Sequence, residues 1–205
     1  MRYSRAARFP MKLRTLPALV LACTSAIASD YKKDIQPIFK KHCYECHSEE
    51  RNKRKAGLVF DDLHSLANDI GPNGQVVPGN VEESHLYEVL TSDEGAKNHM
   101  PPSSKAQLSN SDIKKVETWI KSGGYLVNPA SAKVQGVGPP ARKWRNKQNQ
   151  EIEASFVKID GDKVVLKLID GRVLPYPIAQ LNADSQIQVQ KALLVAAGEK
   201  PMDSK

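Results

Sequence analysis

The sequence predicts two units of different class: a mainly helical domain, then a small all-β barrel, joined by a Pro/Gly linker. Three observations carry this. Residues 30–125 hold three stretches with helical spacing of apolar side chains. "LVNPASAKVQGVGPPA", Leu126 to Ala141, has Pro, Gly and small residues without periodicity. After it, apolar and polar residues alternate between Asp-Gly turns.

In the first unit, "DYKKDIQPIFKKH" places Ile35, Ile38 and Phe39 on one helical face, with Pro37 tolerable near a helix start. A second start is expected at "PGNVEESHLYEVL", where Asn80 can cap with Glu83 three residues on, and Leu86, Val89 and Leu90 form the buried stripe. The third is "LSNSDIKKVETWIKSGG". Ser109 caps it, Ile113, Val116, Trp119 and Ile120 face inward, and Gly123-Gly124 ends it. "GLVFDD" reads as a short extended piece.

In the second unit, "EIEASFVKI", "KVVLKLI" and "RVLPYPI" read as strands, with Asp160-Gly161 and Asp170-Gly171 as hairpin signals. "NADSQIQVQKALLVAAG" closes the chain as a short helix fraying into a polar tail. The expected division is 1–28 leader, 29–125 helical domain, 126–141 linker, 142–190 β-domain and 191–205 tail.

The leader is read as a secretory signal peptide. Basic residues precede the apolar run "LPALVLACTSAIA" and a small-residue site ends at Ala28. The run falls short of the ~20 residues a spanning helix needs. Retention as an anchor, or lipidation at Cys23 within "VLAC", are the alternatives that would bring membrane contact. An exported, periplasmic or envelope location is expected.

A net charge of +7 does not by itself indicate a nucleic-acid binder. Five of those charges (Arg2, Arg5, Arg8, Lys12, Arg14) lie among the first 28 residues, which hold no acid, leaving +2 for the remainder. Neither unit has a dense basic face with an aromatic platform. The run Arg51, Lys53, Arg54, Lys55 reads as a solvated loop or, alternatively, a docking patch for an acidic partner.

The chemistry is concentrated in "KKHCYECHSEE". Cys43-x-x-Cys46-His47 is the attachment sequence of haem c. On a turn of helix the two sulfurs share a face and reach the vinyl groups along one porphyrin edge, while the imidazole projects over the ring to the iron. Three rivals use the same residues. A thioredoxin-like pair expects strand–helix alternation around it. A structural zinc site needs further ligands. A disulfide across so tight a loop is strained.

An electron-transfer haem takes a second axial ligand, and methionine suits ferrous iron. "NHMPP" offers Met100, stiffened by Pro101 and Pro102. His99 is the serious competitor for that position. His42 is expected to face solvent, and His64 and His85 to be surface residues.

On these residues the first unit resembles a bacterial cytochrome c domain of the planctomycete type. The matching stretches are "DIQPIF", Cys43-Tyr44-Glu45-Cys46-His47, "GLVFD", "VVPGNVEESHLYEVL", "MPP" and "LSNSDIKKVETWIKSGG". The resemblance implies thioether links at Cys43 and Cys46, His47 as proximal ligand and Met100 as distal ligand. It also implies that the helix of Trp119 crosses that of Ile35 and Phe39. From "RKWRNKQNQEIEASFVKIDGDKVVLKLIDGRVLPYPIAQLNADSQ", the second unit resembles the SLA homology domain, an SH3-like barrel whose relatives bind short peptides. Trp144 there can serve equally as core or as binding surface.

Together these readings imply a non-enzymatic electron carrier with one haem c, a redox partner protein, and a β-domain that takes a peptide or protein ligand. The alternatives are a haem peroxidase or gas sensor with an open distal site, and an interaction protein in which haem is structural.

Overall fold

The computed structural model describes residues 29–130 and 140–202. The expected leader, Cys23 and the middle of the expected linker lie outside the described residues.

The chain enters as a π-helical turn, Tyr31–Ile35, that runs directly into α1, Gln36–His42. Asp30 caps it through the Lys33 amide at 3.0 Å, and Asp34 accepts from the Asp30 amide at 3.0 Å. Pro37 explains the wide first turn. It has no N–H, and its ring would clash with a carbonyl four residues back in a regular helix.

A two-stranded hairpin follows, β1 His47–Ser48 against β2 Lys53–Arg54. It was not expected from the sequence, because each strand is too short to show alternation. "GLVFDD" forms no strand and connects to α2, Leu63–Leu66, capped by Asp62.

The second expected helix is α3, His85–Thr91, and it starts later than the capping pattern implied. Asn80 does accept from the Glu83 amide, at 3.2 Å, but this closes a turn before the helix. Leu86, Val89 and Leu90 are buried as expected. α4, Asn110–Lys121, has the predicted Ser109 cap, bound by the Asp112 amide at 3.1 Å. Gly123 and Gly124 end it with φ of 107° and 62°, a conformation few other residues adopt. Val116, Trp119 and Ile120 are buried, while Ile113 is only half-buried.

Phe39 and Trp119 meet edge to face at 6.1 Å, and Tyr31 lies 5.6 Å from Trp119. The helix of Trp119 therefore packs on the one bearing Ile35 and Phe39. This aromatic cluster is the centre of the first core.

The second unit is an antiparallel meander of β3 Arg142–Arg145, β4 Glu151–Asp160, β5 Lys163–Leu168 and β6 Val173–Pro177, in that order. Gly161 opens the turn directly after Asp160, the last residue of β4, and Asp170-Gly171 lies between β5 and β6; both glycines have positive φ. Trp144 is a core residue, its indole N–H donating to the Ala154 carbonyl at 2.9 Å. The four strands form an open sheet among the described residues, not the closed barrel expected. One isolated bridge, Asn146 to Leu181, brings the end of β3 near the segment that follows β6.

The largest departure is at the C-terminus. α5, Ala183–Ala196, is a long, well-formed helix where a short helix and tail were expected. Its apolar residues point two ways. Val189, Ala192 and Leu193 pack into the second core, and Leu194 into the first. Ile187 lies over Gly71, where an added Cβ would come within 3.2 Å of it. Just past the helix, the His64 ring donates to the Glu199 carbonyl at 3.0 Å and Lys32 pairs with the Glu199 carboxylate at 2.5 Å. Leu126, expected to begin the linker, is buried in the first core. A helix apolar on opposite faces is buried on both.

Candidate functional site

Cys43 sits at the C-terminal end of α1, its amide donating to the Phe39 carbonyl at 2.8 Å. Cys46 and His47 continue the turn, with both amides directed at the Cys43 carbonyl at 3.0 Å. Cys43 and Cys46 are half-buried free thiols. Burial, reinforced by the neighbouring Cys46, pushes the Cys43 thiol up to about 12. The motif runs from the end of a helix into a two-residue hairpin strand, without the strand–helix alternation that a thioredoxin-like pair expects.

The turn after His47 is fixed by one carboxylate. Asp61 accepts from the Ser48 hydroxyl at 2.5 Å and from the amides of Glu49 and Glu50 at 2.7 and 3.2 Å. Burial works to raise the Asp61 carboxyl, but these donors outweigh it and hold it below the usual carboxylate range.

His47 Nδ1 donates to the Leu58 carbonyl at 3.1 Å. A carbonyl can only accept, so the proton is on Nδ1 and the Nε2 lone pair is left free to ligate. The ring stands edge-on to Phe60 at 5.7 Å, which limits its rotation.

One cavity of about 250 Å³ gathers the motif and the predicted distal residue. Cys43, Cys46 and His47 line it together with Met100, Pro101 and Pro102. The rest of the wall is mainly apolar, from Leu58, Phe60, Leu86, Val89 and Leu90. The Met100 amide donates to the Val89 carbonyl at 2.8 Å, tying the loop to α3, and its side chain is 37% exposed. A larger cavity, about 630 Å³, opens where α5 meets Asp30 and Leu126, but no cysteine, histidine or methionine lines it.

The histidines separate clearly. His99 is buried, with Nδ1 directed at the Ser92 carbonyl and Nε2 at Gln107 Oε1, both at 2.8 Å. It does not line the cavity, and neither nitrogen is free. His42, expected to face solvent, lines the cavity instead. Its Nδ1 donates to the Ala106 carbonyl at 2.9 Å, while Nε2 is buried without a partner. His85 lines the rim and pairs with Glu88 at 2.9 Å. His64 is taken up by Glu199, away from the site.

These residues fit a haem better than a bare metal ion. No three His, Cys, Asp or Glu side chains among the described residues are placed to hold a metal. A haem iron asks the protein for only two axial donors, and this one cavity is lined by a thioether and by two histidines whose Nε2 is unpartnered, His47 within the motif and His42 just before it. No helix among the described residues is long and apolar enough to cross a membrane.

No curated protein and no solved structure matches the chain. A protein-family model does: that of Planctomycete cytochrome C matches residues 43–104, the segment from the first cysteine of the motif to just past the Met-Pro-Pro turn.

Proposed function

We propose that the chain is an exported c-type cytochrome carrying single electrons through one covalently attached haem c, with His47 and Met100 as axial ligands. The observation that supports this most is the shared cavity: two thiols, a free imidazole nitrogen and a thioether on an otherwise mainly apolar wall. When bound, haem c supplies an iron that alternates between the ferric and ferrous states.

The chain's own residues do the rest. Cys43 and Cys46 would hold the group covalently, each through a thioether made by adding its S–H across a vinyl group. Leu58 holds the His47 ring in the tautomer that ligates. Met100 offers a soft donor that favours the reduced state, and Leu86, Val89 and Leu90 exclude water from that side.

The redox partner is proposed to be acidic where it meets the cavity mouth, since Lys55 and Lys105 line the rim and Arg51 and Lys53 are exposed nearby. Lys105 is partly compensated by Glu45 at 2.5 Å. The C-terminal sheet is proposed as an interaction module related to SLA homology domains, taking a peptide or protein ligand. The N-terminal leader is proposed to direct export.

The test is production with a functioning haem-attachment system, followed by optical and intact-mass spectra. A red product with the mass of one haem added, six-coordinate when reduced and refractory to carbon monoxide, supports the proposal. A colourless product with alkylatable thiols sinks it. Ready carbon monoxide binding would replace it with the open-site reading, a peroxidase or gas sensor.

A further inference from the structure

We infer that Gln107 is a positioning residue for Met100, working with His99 as a clasp on the loop that carries the thioether. The inference rests on the reading of Met100 as an axial ligand. Gln107 touches neither the cavity nor any proposed ligand atom; it acts through the backbone of residues 99–105.

The geometry is specific. Gln107 Nε2 lies 3.2 Å from the Pro101 carbonyl, 3.1 Å from that of Pro102 and 2.9 Å from that of Lys105. Carbonyls only accept, so the amide nitrogen must face the loop, and Oε1 must face His99 Nε2 at 2.8 Å. With the ring proton on Nε2, Nδ1 of the neutral ring is an acceptor, and it meets the Ser92 hydroxyl at 3.4 Å, at the C-terminal end of α3. The loop is thereby tied to α3 at two places: through His99 at Ser92, and directly from the Met100 amide to Val89 at 2.8 Å.

This arrangement has a use beyond stabilising a turn. Pro101 and Pro102 have no N–H, so their segment cannot close on itself through those amides, and one side chain supplies the missing donors. Met100 itself is one-third exposed, so side-chain packing alone does not fix it. A neutral thioether is a weak donor to ferric iron, and its hold depends on being placed in advance. The clasp supplies that placement.

The experiment uses haem-loaded full-length protein as wild type, Gln107→Leu and Gln107→Glu. Three quantities are read: the weak red absorption band of ferric iron bound to a thioether, the ferric affinity for added imidazole, and the midpoint potential. Loss of the clasp should weaken the band, lower the potential and tighten imidazole binding by about five- to tenfold, the worth of roughly one net hydrogen bond. The mass that one haem adds to the chain should be the same in all three proteins. Gln107→Glu keeps an acceptor for His99, loses the N–H donors and adds a charge that lowers the potential by itself, so for this variant only the band and the imidazole affinity are read, and they give the same reading if the leucine variant does not fold. Unchanged band and imidazole affinity in a folded variant would overturn the clasp. A wild-type protein without the band would instead remove Met100 as ligand, which is a separate failure.

Discussion

His47 and Leu58 are joined by a hydrogen bond from ring to backbone, Nδ1 to carbonyl oxygen at 3.1 Å, across eleven residues of chain. The β1–β2 hairpin and the three-residue turn after it, Lys55–Gly57, bring that carbonyl back over the ring. Ala56 takes a left-handed φ of 53° inside this turn and Gly57 a φ of 77°. A local reversal thus sets which nitrogen faces the cavity. In haem-loaded protein, His47→Ala should abolish the six-coordinate spectrum while leaving both thioether links intact. Added imidazole should restore it, read by optical titration.

Met100→Ala should open the distal side. The reduced protein should then bind carbon monoxide readily, and the midpoint potential should fall because the soft donor is gone. Carbon monoxide titration and potentiometry check this. His99→Ala should not give the same result directly, since neither of its nitrogens faces the cavity.

Asp61→Asn should destabilise the first unit by about 1–3 kcal/mol, the range for disturbing a carboxylate that serves several partly buried donors. Urea denaturation measures it. The sign of the pH dependence follows from the lowered Asp61 carboxyl. Its contribution is present above the ordinary carboxylate range and is lost as pH falls through the folded value. The asparagine variant should lack that acid-side loss.

Cys43 gives an alkaline counterpart. With the folded thiol near 12 against a reference of 9.0, the haem-free chain should lose stability as pH rises above about 9, because the unfolded chain ionises first. Thioether formation removes the ionisable group, so the haem-linked protein should not show this loss. Alkylation of Cys43 in the folded haem-free chain at pH 8 should be about a thousandfold slower than in the unfolded chain.

Leu194→Ala should cost about 2–5 kcal/mol, as for other buried leucines. The cost should appear in the melting of the haem unit, although the residue belongs to the last helix. Circular dichroism in the haem absorption region, followed with temperature, reads that unit alone.

The site was more legible in the sequence than the fold around it. Cys43, Cys46 and His47 are covalently close, so their spacing alone sets the geometry. The sequence pointed to Met100 through its prolines, and the structure places it in the wall of the same cavity. The role of His99 was not, because its partners Ser92 and Gln107 are each at least seven residues away and neither has a distinctive pattern. The cavity-facing position of His42 was likewise hidden, since it depends on the Ala106 carbonyl from a distant loop.

Among the elements, α4 and the strands of the second unit were legible because cap, stripe and turn agree. α3 was misplaced at its start because Asn80 and Glu83 satisfy a capping pattern that closes only a turn. α5 was underestimated because its apolar residues face two cores. A helix so divided has little amphipathic signature, and its length cannot be judged from one stripe.

The two-sided burial of α5 also imposes an order of events on synthesis. A polypeptide emerging from its N-terminus presents Cys43 and Cys46 about 150 residues before Leu194 arrives to seal the wall of the first unit. Until then the first core lacks a side chain that only the last helix contributes, so the final segment of the chain completes a domain that begins near its start.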